Sequence, residues 1–75
     1  MISIIGLGNW GTALAEHCSA LGHNVLGWDR DKTVTRSINE KRTHSKYHEG
    51  VKLSFKATDS INDCLQSELV ILALP

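Results

Sequence analysis

The sequence predicts an α/β fold built on a parallel sheet, in the order β-α-β-α-β-α-β, from three observations. The run Ile2-Ser3-Ile4-Ile5 is rich in β-branched residues and meets glycine at Gly6. From Trp10 the apolar residues recur at three-and-four spacing, the period of one helix face. The segment Leu69-Val70-Ile71-Leu72-Ala73-Leu74 is apolar without alternation, as a strand covered on both faces should be. Strands alternating with helices favour parallel pairing through right-handed crossovers.

Each element follows from local chemistry. The first strand starts at the amino terminus and ends at Gly6. Trp10, Ala13, Leu14, Cys18 and Leu21 form the predicted inward face of the first helix, and Gly22 supplies the left-handed residue that ends it. Val25-Leu26-Gly27-Trp28 is the second strand. Asp31 caps a second helix running to about Glu40, with Val34 and Ile38 inward. Lys41 to Leu53 has no clear period and reads as a long loop, a kind of segment that is usually functional or disordered. Ser54 to Ala57 is a weak third strand. Thr58 or Asp59 caps a third helix in which Ile61, Cys64 and Leu65 face inward, before the final strand.

Composition narrows the function classes. Eight Lys+Arg balance eight Asp+Glu in 75 residues, which gives no electrostatic footprint for nucleic acid or an anionic membrane surface. The apolar runs fall far short of the roughly 18 residues that suggest a membrane span. Cys18 and Cys64 have neither the spacing of a disulfide framework nor that of a zinc site, which suits reduced thiols in a cytoplasmic protein. A chain of this length is one domain at most, and buries only about 60% of the surface its unfolded form exposes.

Gly6-Leu7-Gly8-Asn9-Trp10-Gly11 matches G-x-G-x-x-G directly after a strand and at the opening of a helix, the context that a dinucleotide-binding turn requires. Gly6 permits the tight turn, Gly8 lets the backbone approach a pyrophosphate, and Gly11 allows close packing of helix on strand. The backbone N–H groups of Asn9 and Trp10 then face the phosphates at the positive end of the helix. The fold class is thus a Rossmann-type parallel sheet of order 3-2-1-4, incomplete and truncated after its fourth strand. That leaves the most apolar strand at an uncovered edge, a liability that complete sheets normally blunt. The expectation is an amino-terminal portion of a longer protein.

Asp29 ends the second strand, where an acid can hold the adenosine ribose; its alternatives are a loop acid or a helix cap. Arg30 suits a 2′-phosphate, the flat face of adenine, or plain solvation. Trp10 is either core or a neighbour of the phosphates, and Trp28 packs beneath adenine or into the sheet. His44 and His48 are four apart, but their segment is not helical and no third ligand is near, so they read as surface histidines. His17 and His23 read as helix-face and turn residues. No metal site and no catalytic set emerges.

Over Gly6 to Ala15 the chain resembles the NAD(P)-dependent glycerol-3-phosphate dehydrogenases, which place an aromatic between the last two glycines and follow with Gly-Thr-Ala. The likeness continues through Leu21-Gly22-His23-Asn24-Val25, Trp28-Asp29-Arg30-Asp31, Ile38-Asn39, Lys46-Tyr47, Gly50-Val51-Lys52-Leu53, Ala57-Thr58-Asp59 and Val70 to Pro75. It implies a cofactor-binding domain followed by a helical substrate domain. It also implies hydride transfer between NAD(P)H and dihydroxyacetone phosphate or sn-glycerol 3-phosphate, for glycerophospholipid synthesis in the cytoplasm. The implied partners are the dinucleotide and a small phosphorylated substrate; charge and apolar-run length argue against nucleic acid and membrane, and a homodimer is one option for the complete protein, whose oligomeric state the residues leave open. By resemblance Asn9 and Trp10 lie at the pyrophosphate, Arg30 at the adenosine end and Tyr47 near the cofactor.

The family's usual small residue is Asp29 here, and its Tyr-Leu-Pro-Gly is Tyr47-His48-Glu49-Gly50, so the choice between NAD and NADP stays open. Competing expectations are a fragment of a 2-hydroxyacid or sugar-nucleotide dehydrogenase, or a non-catalytic nucleotide-binding module or inert truncation. Residues 1 to 75 alone are expected to be inactive.

Overall fold

The computed structural model describes residues 1–74. Pro75, the last residue of the resemblance, lies outside the described residues. A four-stranded parallel sheet of order β3-β2-β1-β4 is formed by β1 (Ile2–Ile5), β2 (Val25–Trp28), β3 (Lys56–Thr58) and β4 (Leu69–Leu72). The strand order is the one expected. Helix α1 (Asn9–Ala20) connects β1 to β2, and α2 (Lys32–Lys41) leads into the long segment before β3. Register pairs Ile4 with Gly27 on one side and Ile71 on the other, which makes β1, like β2, an interior strand.

The first helix packs differently from the apolar pattern. Its buried residues are Gly11, Thr12 and Ala15, with Leu14 and Cys18 at the margin of the core. Trp10 is 61% exposed, and Ala13 and Leu21 are exposed as well. The reason is distance. A Cβ on Gly11 would stand 1.8 Å from the Gly6 carbonyl oxygen, so this helix lies too close to the first turn for large side chains to face inward there. Small residues set the approach and the large ones are displaced outward. Gly22 ends the helix with φ +97, as anticipated.

Helix α2 forms as expected. Asp31 accepts a hydrogen bond from the Thr33 N–H at 2.9 Å, and Val34, Thr35 and Ile38 are buried. The core joins Ile4, Leu7, Ala15, Val25, Val34, Ile38, Leu53, Phe55 and Ala57. Phe55, at 2% exposure, contributes roughly 2–3 kcal/mol by its burial.

Strand β3 begins two residues later than Ser54, because the segment before it bonds to α2 and not to β2. The Arg42 guanidinium donates to the carbonyls of Leu53 and Phe55, each at 3.0 Å, and the Leu53 N–H donates to the Arg42 carbonyl. Asn39 continues this pairing, donating to the Ala57 carbonyl at 2.8 Å and accepting from the Ala57 N–H at 2.9 Å. Asn39 of α2 and Arg42, its C-cap residue, thereby act as a backbone partner for the outer edge of the sheet.

The third helix is only a 3-10 turn, Ile61–Cys64, with Ser60 at its N-cap in place of Thr58 or Asp59. Thr58 Oγ1 accepts from the Ser60 N–H and its hydroxyl donates to the Asp63 carboxylate, which closes a turn too tight to extend into a helix. Of the three residues expected inward only Cys64 is buried; Ile61 is exposed and Leu65 is 74% exposed. Four residues cannot carry a full apolar stripe. The final strand also stops at Leu72, short of Leu74, and Leu69, Val70 and Leu72 are exposed. Helix α1 packs chiefly on β1 and β2 and α2 on β3, which leaves β4 the least covered of the strands among the described residues.

Candidate functional site

The carboxyl ends of the parallel strands converge on the glycine-rich turn. The Gly6 N–H donates to the Trp28 carbonyl and the Ala73 N–H to the Ile5 carbonyl, each at 2.8 Å, stitching the ends of β2 and β4 to that of β1. Gly6 has φ +107 and passes so close to Ala73 that a Cβ would stand 2.8 Å from its carbonyl oxygen. Gly8 is different: a Cβ there would meet nothing within 4 Å. Among the described residues nothing excludes a side chain at Gly8. What glycine preserves is open space in front of the turn.

A cleft of about 440 Å³ opens there, bounded by Gly6 to Gly8, Trp28 to Arg30, Ala73 and Leu74. A second of about 270 Å³ continues past Leu7 and Asp29 to Asp31, His44, Lys46 and Tyr47. A third of about 330 Å³ follows Gly8 to Gly11 and meets Tyr47 from the other side. Helix α1 points its amino terminus at these clefts. Gly8 is its N-cap, no side chain caps it, and its first turn holds no acid. The first N–H groups of a helix lack intrahelical partners, so this end presents bare donors and a partial positive charge. The arrangement fits an anionic pyrophosphate.

The predicted site residues are brought together around this space, with different duties. Asp29 uses both carboxylate oxygens on backbone amides, accepting from Leu7 N–H at 3.0 Å and from Asp31 N–H at 2.9 Å. It braces the glycine turn against the start of α2. A carboxylate has about four lone-pair sites, so two remain for a ligand. Arg30 lines the first two of these clefts and has no ion-pair partner among the described residues. Trp28 is half-buried, lines the largest cleft, and its indole N–H is buried without a hydrogen-bond partner. Asn9 and Trp10 are exposed at the head of α1. Tyr47 lies across the turn, its ring 5.2 Å from that of His44.

The long loop overturns the surface reading of the histidines. His44 is 7% exposed and its Nε2 donates to the Leu7 carbonyl at 2.7 Å. The Lys46 and Tyr47 amides donate to its Nδ1 at 2.9 and 3.2 Å. His48 is half-buried and its Nε2 donates to the Asn9 carbonyl at 2.8 Å. Lys46 pairs with Asp31 at 3.1 Å. That contact, followed by the Thr33 amide, holds the Asp31 carboxyl below the usual aspartate range. At its far end the loop is tied to α1, where Glu16 accepts from the Ser54 N–H at 2.7 Å. Sequence reasoning missed His44, His48 and Lys46. Their partners are backbone groups and a cap up to 39 residues away, which no local spacing reveals.

Comparison with known proteins points one way. A family described as NAD-dependent glycerol-3-phosphate dehydrogenase N-terminus matches residues 1–75. A glycerol-3-phosphate dehydrogenase, NAD(P)+, of Macrococcus caseolyticus is 39% identical over 77 residues, covering 99% of this chain and 23% of that protein. Its namesake in Chelativorans sp. is also 39% identical, over 99% of this chain and 24% of its own length. The one in Tropheryma whipplei is 37% identical over 75 residues, covering 99% and 22%. The chain therefore spans about a quarter of the length of the curated relatives it matches.

Proposed function

The chain belongs to the family of NAD-dependent glycerol-3-phosphate dehydrogenase N-termini, and from that premise we propose that it forms the adenosine and pyrophosphate side of a site for NAD or NADP. The observation that carries the proposal is the turn from Gly6 to Gly11. It leaves open space at Gly8 and points an uncapped helix end at a cleft between the strand ends.

In this reading the amides of Asn9 and Trp10 hold the pyrophosphate and Gly8 lets it approach. The free acceptor sites of Asp29 hold the ribose hydroxyls, while Arg30 and Trp28 border the adenine. Tyr47 closes the cleft from the loop. The dinucleotide supplies the hydride; the residues of this chain bind and orient it and line the cleft. The reaction is hydride exchange between NAD(P)H and dihydroxyacetone phosphate or sn-glycerol 3-phosphate, serving glycerophospholipid synthesis in the cytoplasm, with the substrate groups supplied by a second, helical domain. The names of the relatives support this reading.

The test is a substrate panel on the complete natural protein that carries these 75 residues. Oxidation of NADH or NADPH with dihydroxyacetone phosphate is the expected result. Turnover confined to a 2-hydroxyacid or a sugar nucleotide would replace the proposed substrate, and binding of neither dinucleotide would remove the cofactor site.

A further inference from the structure

We infer that His44 is a positioning residue for the cofactor cleft, fixing the direction of the Leu7–Gly8 peptide while holding the Tyr47 loop against it. The inference rests on the nucleotide reading above. A carbonyl oxygen can only accept, so the nitrogen 2.7 Å from the Leu7 oxygen, Nε2, carries the hydrogen. Backbone amides can only donate, so Nδ1, which faces the N–H groups of Lys46 and Tyr47, is bare. The neutral Nε2–H tautomer alone satisfies both ends of the ring.

The consequence lies one atom further along the chain. In a trans peptide the C=O and the following N–H point in opposite directions, and no peptide bond among the described residues is cis. The carbonyl that His44 holds shares its peptide plane with the amide of Gly8. Fixing one therefore aims the other, at the glycine that borders all three clefts. Leu7 is secured on its other side as well: its own N–H is bound by Asp29, and its side chain is 1% exposed in the core. The same imidazole orders the amides of Lys46 and Tyr47, which places the Tyr47 ring beside it and Lys46 within reach of Asp31. Both walls of the cleft are thus set by one side chain.

The experiment measures dinucleotide affinity and turnover in the complete natural protein with His44→Ala, His44→Gln and His44→Asn. His44→Ala is expected to weaken NADH or NADPH binding about tenfold, with kcat at saturating cofactor within about twofold, as loss of ground-state positioning requires. His44→Gln retains a donor near Nε2 and is expected to recover more affinity than His44→Asn, which retains only an acceptor near Nδ1. Nitrogen NMR of the wild type is expected to show the Nε2–H tautomer. An Nδ1–H tautomer would overturn the inference, as would a folded His44→Ala variant with unchanged affinity. If His44→Ala does not fold, the Gln and Asn variants and the wild-type tautomer decide it. A wild type that binds neither dinucleotide overturns the proposed function together with this inference. A wild type that binds, beside an Ala variant that binds equally well, overturns this inference alone.

Discussion

The carboxylate of Asp29 and the backbone amide of Leu7, 22 residues apart, are joined at 3.0 Å, so the acid that ends β2 also holds the glycine turn in shape. Its second oxygen receives the Asp31 amide at 2.9 Å. Removing this side chain leaves two part-buried amides without their acceptor. Asp29→Ala is expected to cost about 1–3 kcal/mol in denaturant unfolding of the complete protein. Removing the negative charge should also shift preference toward the cofactor with a 2′-phosphate, on the order of tenfold in the NADPH to NADH affinity ratio. A variant that loses stability while that ratio stays fixed would make Asp29 a brace only.

The two glycines that flank the start of α1 separate fold from ligand. Gly11→Ala forces a methyl to within 1.8 Å of the Gly6 carbonyl oxygen and is expected to destabilise by about 3 kcal/mol or more. Gly8→Ala has φ −76 and free space, so its melting temperature should match wild type while dinucleotide affinity falls. Thermal unfolding and cofactor titration of both variants give the comparison. Equal dinucleotide affinity in Gly8→Ala would contradict the pyrophosphate assignment.

The Asp31 contact carries a pH signature. Its carboxyl is held below the usual aspartate range, first by the Lys46 ammonium and then by the Thr33 amide. A folded value below the unfolded one means that the contribution is fully present above the usual aspartate range, and is lost as the pH falls through the lowered folded value. Lys46→Met should therefore be less stable than wild type at neutral pH, and the two unfolding curves should converge in strong acid. A difference that persists unchanged in acid would assign the effect to packing.

Asn39 is exposed on α2, and most exposed substitutions change stability by less than about 0.5 kcal/mol. Its amide nevertheless pairs with both polar groups of Ala57. Asn39→Ala is expected to cost about 1–2 kcal/mol, several times the usual surface effect. Urea unfolding measures it directly, and a neutral result would mean that water replaces the amide without loss.

Much of this was legible in the residues. The β-branched run before Gly6, the Asp31 cap and the uninterrupted Leu69-Val70-Ile71-Leu72 place two strands and the second helix by local rules of spacing and capping, and the glycine fingerprint between them supplies the strand order through the fold it belongs to. The inward face of α1 was misjudged, because helix-to-sheet distance is set by what Gly11 lacks, and an apolar pattern counts only what is present. The site divides the same way. The glycine turn and Asp29 follow from a motif. His44 earns its burial from the Leu7 carbonyl 37 residues away, and a loop without period offers no trace of that.

The side chains of Asn39 and Arg42 have a consequence for self-association. An edge whose hydrogen-bonding groups are largely matched offers little to a second chain, and these two residues engage the Leu53 and Phe55 carbonyls and both polar groups of Ala57. Strand addition by a second copy is therefore opposed at the β3 side, where a new strand would have to displace two side chains of the same molecule before it gained a hydrogen bond.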